Sequence, residues 1–220
     1  METTTKALVT LSCGIFLAAG CSDNNSSRSV IPPPEPPIDG QATFRYDTYG
    51  DEAFWTDVLR FNEVVETITP ETALAVGLKV DAEAVPADVL ASVDLTDPAT
   101  TVALLELDAV VGVNAEVAPD GTVTRFGITC ALCHSDVDDS VAPGIGARLD
   151  GWPAQDLNAG LIISLSPFFD DKPDLRAQLQ SWGAGMYDPY WNLDGISDPV
   201  VIAPAYGLKD VALETYTGEG

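Results

Sequence analysis

The chain has 220 residues, with 34 acidic against 10 basic side chains and a formal charge of −24. Such an excess of carboxylates argues against nucleic acid as a partner, because binding a polyanion takes clustered Lys and Arg, and it favours a basic protein surface instead. Hydrophobic residues at 46% and charged residues at 20% match a globular domain with a real core, and not a disordered chain or a polytopic membrane protein.

Lys6 precedes an apolar run over residues 7–21, too short to span a bilayer and of the length of a signal-peptide core. Leu17-Ala18-Ala19-Gly20-Cys21 resembles the lipobox of bacterial lipoproteins, so residues 1–20 read as an export signal and Cys21 as the lipidated residue. Ser22 after that cysteine implies sorting to the outer membrane, facing the periplasm, with a soluble periplasmic protein as the alternative. Residues 21–40 are polar and then rich in proline, the composition of an extended tether that holds a folded part clear of the membrane.

From residue 51, Phe54, Val58, Phe61 and Val65 recur at helical steps and predict one amphipathic helix with these four on its core face. Thr69-Pro70-Glu71 supplies a cap and a first-turn proline for a second helix that stops near Gly77. Two more short helices are expected over residues 86–93 and 98–107, each with proline near its start. The period then changes. Residues 109–117 and 122–128 carry alternating apolar positions about Ala118-Pro119-Asp120-Gly121, a hairpin signal that runs directly into Thr129 and Cys130. Residues 41–129 thus form a helical region ending in a hairpin. Residues 130–220 are loop-rich, with helices expected over 159–165 and 172–182, and long loops of this kind are often held by a ligand or cofactor.

Cys130-Ala-Leu-Cys133-His134 has the spacing of c-type haem attachment. Two thiols on one helical turn reach the two vinyl groups of a porphyrin, and the adjacent histidine meets the iron. A structural zinc site wants four Cys or His ligands, whereas three are crowded here into five residues. A dithiol redox site usually follows a strand in a βαβ context that the pattern does not show. One covalent haem c is therefore the expected cofactor. The second ring nitrogen of such a histidine usually donates to a carbonyl, and the Pro143-Gly144 loop is placed to supply it. Arg125 and Arg148, with Trp152, are candidates for the haem propionates because isolated cations stand out in so acidic a chain.

The segments "ATFRYDTYGDEAFWTDVLR", "PATTVALLELDAVVGVNAEV", "GITCALCHSDVDDSVAPGIGARLDGWPAQDLN" and "YGLKDVALETYTGEG" together resemble the N-terminal part of exported bacterial c-type cytochromes, often di-haem and distantly similar to di-haem cytochrome c peroxidases. The resemblance runs over residues 41–220 and carries Cys130, Cys133 and His134 over as haem attachment and proximal ligand. It implies a mainly α, cytochrome c-like fold with a small β-hairpin and long loops. It also implies that such proteins continue beyond residue 220, into a further haem motif.

The sixth iron ligand has three candidate sources. Met186 lies 52 residues after His134 (186 − 134), the resemblance points to a ligand beyond residue 220, and an open position or Lys209 is the third. The functional expectation is a membrane-tethered electron carrier that meets a redox partner protein. Peroxide reduction is the alternative and would need a distal acid or base, for which Glu106 and Asp138 are the named carboxylates.

Overall fold

A computed structural model of the chain describes residues 38–207. Cys21, the signal and most of the tether lie outside them, as does Lys209. The mainly α, cytochrome c-like expectation is overturned: about 36% of the described residues are helix and 16% strand, in short helices and small sheets. The helices are short, and α5 at 9 residues is the longest described.

The first helix, α1 (Gly40–Tyr46), starts inside the segment read as tether. The Asp39 side chain caps it by accepting from the backbone N–H groups of Gln41 and Ala42. The single helix expected after residue 51 is broken. A π-helical turn (Phe54–Val58) is followed by Arg60 in the left-handed region, φ 57°, and then by α2 (Phe61–Val65). The break shifts the helical phase, so Trp55, Leu59, Phe61 and Val64 are buried while Phe54 and Val58 stay 45% and 44% exposed.

Next come α3 (Pro70–Ala75), capped by Thr69, then β1 (Val80–Asp81), α4 (Ala87–Leu90) and α5 (Pro98–Glu106), capped by Asp97. The hairpin pairs β2 (Val113–Val117) with β3 (Val123–Ile128) antiparallel, Val113 opposite Ile128, with a bulge at Glu116/Val117. Gly121, at φ +87°, closes its turn by donating its N–H to the Ala118 carbonyl.

Beyond the hairpin lie α6 (Ala131–His134), β4 (Ser135–Val137), β5 (Ile145–Gly146) and β6 (Arg148–Asp150). They are followed by α7 (Ala159–Ser164), a 3-10 turn (Pro167–Phe169), α8 (Pro173–Gln180), β7 (Met186–Tyr187), α9 (Trp191–Asp194) and β8 (Val200–Val201). Three small ladders join the hairpin: β1 with β5 in parallel, β4 with β6 and β7 with β8 antiparallel.

One main core draws on both sides of Cys130. Trp55, Phe61 and Phe126 stack edge and face, with centroids 5.2 Å (Trp55–Phe61) and 5.6 Å (Phe61–Phe126) apart, and tie the π turn and α2 to β3. Phe169, Leu179 and Trp182 of the later segment belong to the same cluster. Burying each such side chain contributes roughly 1.5–3 kcal/mol, so the hairpin that leads to the motif is anchored from both directions. Among the described residues no helix is long and apolar enough to cross a membrane.

Candidate functional site

β3 delivers the chain to Thr129, whose backbone N–H donates to the Gly112 carbonyl and whose hydroxyl donates to the Arg45 carbonyl at 3.1 Å. The Thr129 carbonyl then receives the Leu132 N–H and the Cys130 carbonyl the His134 N–H, forming the short turn α6. Ala131, fully buried, faces Val111 and Val137. Gly112 makes this approach possible. It holds φ +76°, and a Cβ there would meet the Leu132 nitrogen at 2.0 Å.

The turn is strapped from outside. The N–H of Gly151 donates to the His134 carbonyl at 2.8 Å and that of Ala154 to the Cys133 carbonyl at 3.0 Å. A third segment fixes the imidazole, whose Nδ1 lies 2.9 Å from the Ala203 carbonyl oxygen. A carbonyl only accepts, so Nδ1 carries the proton and Nε2 of the neutral ring is left with its lone pair. This is the tautomer of a histidine that ligates iron through Nε2.

The two cysteines are not joined to each other and meet different surroundings. Cys130 is exposed, and its sulfur raises the pKa of the neighbouring Tyr49 phenol. Burial, with Cys130 nearby, pushes the Cys133 thiol up to about 11. Cys133 helps to line a partly enclosed apolar cavity of about 190 Å³, together with Leu74, Leu104, Phe126, Leu132 and Tyr187. That void exceeds the ~150 Å³ apolar cavity that accepts benzene and falls short of the ~300 Å³ at which cofactor-sized pockets begin. It fits an apolar edge of a macrocycle. The donor set fits the same group: two unpaired thiols on one turn and a histidine with its tautomer fixed. Among the described residues no three His, Cys, Asp or Glu side chains are arranged to hold a bare metal ion; a porphyrin brings its own four nitrogen donors and asks for less.

Other residues singled out from sequence are placed differently. The Pro143 turn is exposed and bridges Ala142 to Ile145, and the carbonyl that receives the imidazole proton belongs to Ala203, before Pro204. Arg125 sits on β3 opposite Glu116. Arg148 is buried against Asp81 at 3.1 Å and lies over the Tyr46 ring, with its Nη1 lacking a hydrogen-bond partner among the described residues. Trp152 is 52% exposed and tilted against Tyr206. Met186 packs on the main core while Tyr187, on the opposite face of the same short strand, lines the cavity. Glu106 is exposed at the end of α5, away from the cavity lining. Asp138 is held below the usual carboxylate range by hydrogen bonds from Ser140 and Ala147.

Three contributors escaped the sequence reading. Lys79 lines the cavity with its stem, only 7% of its side chain exposed, and pairs its ammonium with Asp156 and Asp136. Tyr187 brings the cavity a phenol whose pKa is raised by burial and by Cys133. Asp51 receives the Trp55 indole N–H at 2.8 Å and the Ile128 N–H just ahead of the motif, and burial pushes its carboxyl up to about 6. No motif marks any of them, because each depends on a contact distant in sequence. No family model, curated protein or solved structure matches this chain.

Proposed function

We propose that the chain is a periplasmic electron carrier, exported and tethered to the outer membrane through lipid on Cys21, with one haem c attached to Cys130 and Cys133 and its iron held by His134. The observation that carries this reading is the His134 Nδ1 to Ala203 carbonyl hydrogen bond beside a cysteine that opens on an apolar cavity. Bound there, the haem supplies a one-electron ferric/ferrous couple. The chain's own part is to orient and to exclude water. Ala203 holds the ring and raises its basicity, the Gly151 and Ala154 N–H groups fix the turn, and the apolar wall keeps the local dielectric low. The likeness of several segments to exported c-type cytochromes supports the same reading.

A dithiol redox function fits less well, since such motifs follow a strand in a βαβ setting and Cys130 here follows β3, which pairs with β2 as an antiparallel hairpin. For peroxide reduction, no Asp or Glu lines the cavity among the described residues. Neither Glu106 nor Asp138 lines the cavity, and the hydrogen bonds around Asp138 hold it ionised. The test is the visible spectrum of the chain expressed with c-type maturation machinery. Low-spin iron inert to peroxide supports electron transfer, a high-spin spectrum shifted by peroxide supports catalysis, and an absent Soret band refutes both.

A further inference from the structure

An apolar strip lies open along the outside of the motif. Val201 (62% exposed) and Tyr206 (56%) flank the exposed Ala203 and Pro204, and Trp152 (52%) packs on Tyr206 with centroids 5.8 Å apart. The strip is continuous with the motif: Ala203 receives the His134 imidazole, and the Ala205 N–H donates to the Gly151 carbonyl, beside the N–H that holds the His134 carbonyl.

Among the described residues the more exposed charge next to it is acidic. Among the described residues Lys79, Arg148 and Arg45 are the cations paired around β4 and β6, their side chains 7%, 1% and 23% exposed and each held by a carboxylate. Asp156, a partner of Lys79, has a side chain 61% exposed, and Asp136, its other partner, 32%. The most exposed of these charges are therefore the carboxylates of Asp156 and Asp136. A partner meeting this face finds an apolar aromatic centre with an acidic margin, on a chain of −24. Contiguous exposed apolar surface bordered by polar groups is the mark of an interaction site, and transient redox encounters are small, under ~1,200 Å² in total.

We infer that the strip Val201, Ala203, Pro204, Tyr206 and Trp152 is the docking face for a redox protein with an apolar patch ringed by lysine or arginine. The inference rests on the electron-carrier reading for its purpose and not for its test, because docking is measured as binding. Apolar contact sets register, and the opposite charges set the encounter rate.

The experiment titrates the full chain with a lysine-rich cytochrome c by calorimetry, at low and at physiological salt, for the wild type, the pair Val201→Ser with Tyr206→Ser, and Leu175→Ser as a distant control. Leu175 is 41% exposed on α8. The expected result is binding that weakens at least ~10-fold with salt, as steered encounters do, and again at least ~10-fold in the paired variant, the cost of about 1.4 kcal/mol of lost contact. The control keeps wild-type affinity. Circular dichroism of the paired variant, unchanged from wild type, separates lost docking from lost fold, and Val201→Ser alone serves if the pair unfolds. Affinity that falls with salt but ignores the strip variants overturns the inference, since it reports only the net charge. A missing Soret band with the binding result intact overturns the haem reading and leaves the docking face standing.

Discussion

The His134 imidazole and the Ala203 carbonyl meet at 2.9 Å across 69 residues of sequence. This bond ties the loop around residue 203 to the motif turn, which is the proximal side on the proposed haem reading. Replacing Pro204 by Gly loosens that loop without removing the carbonyl. A weaker hydrogen bond makes the imidazole a poorer donor to iron, so the reduction potential of the haem-loaded variant rises, as spectroelectrochemistry would read. An unchanged potential disconnects Ala203 from the site.

Gly112 and Gly121 separate two uses of the left-handed region. Both have positive φ, but a Cβ at Gly112 meets the Leu132 backbone at 2.0 Å whereas Gly121 has nothing within 4 Å. Gly121→Ala costs about 1–2 kcal/mol, the backbone penalty alone. Gly112→Ala adds a backbone clash and costs about 3 kcal/mol or more, and it impairs haem incorporation because the clash lies inside the motif. Urea unfolding and haem content per chain measure the two effects.

Asp51 gives stability a slope with pH. Its folded pKa of about 6 stands above the ordinary value of about 3.9, so between these values the folded chain holds more proton than the unfolded one. Its contribution is full below pH ~4 and is lost as pH rises through ~6. Asp51→Asn keeps an acceptor for Trp55 and removes the slope. It stabilises the chain at pH 7 by about 1 kcal/mol, a shift of two units being discounted for partial solvent screening. Urea midpoints between pH 4 and 7 that vary equally in both proteins would contradict this.

The cysteines of the haem-free chain should differ in reactivity. Cys130 is exposed, whereas Cys133 is half-buried and its thiol is pushed up to about 11. Iodoacetamide at pH 8 labels Cys130 at least ~10-fold faster, since only the thiolate attacks. Peptide mass spectrometry reads the ratio, and equal labelling removes the contrast.

What was legible in the sequence had a local cause. Thr69-Pro70 and Asp97-Pro98 cap helices where they stand, and Ala118 to Gly121 turn the hairpin. The spacing of Cys130, Cys133 and His134 suggests haem attachment, and the proposed function rests on it. What was not legible depended on distance or on a single backbone angle. Ladders of two residues, such as Val80 with Ile145, are too short to show alternation, so a chain whose described residues form four small sheets read as mainly α. Arg60 in the left-handed region turned Phe54 and Val58 outward against an otherwise sound helical stripe. Arg148 read as an isolated cation for the haem propionates, yet Asp81 holds it inside. The carbonyl partner of His134 was sought nine residues on, at Pro143, and stands at Ala203.

The central claim is a covalent bond between this turn and a haem. The direct measurement is the intact mass of the denatured, purified chain after expression with c-type maturation machinery. Wild type is predicted to retain the mass of one haem, and Cys130→Ser with Cys133→Ser to show the bare polypeptide. A wild-type chain that carries no added mass while a known c-type cytochrome in the same cells is fully loaded would contradict the account.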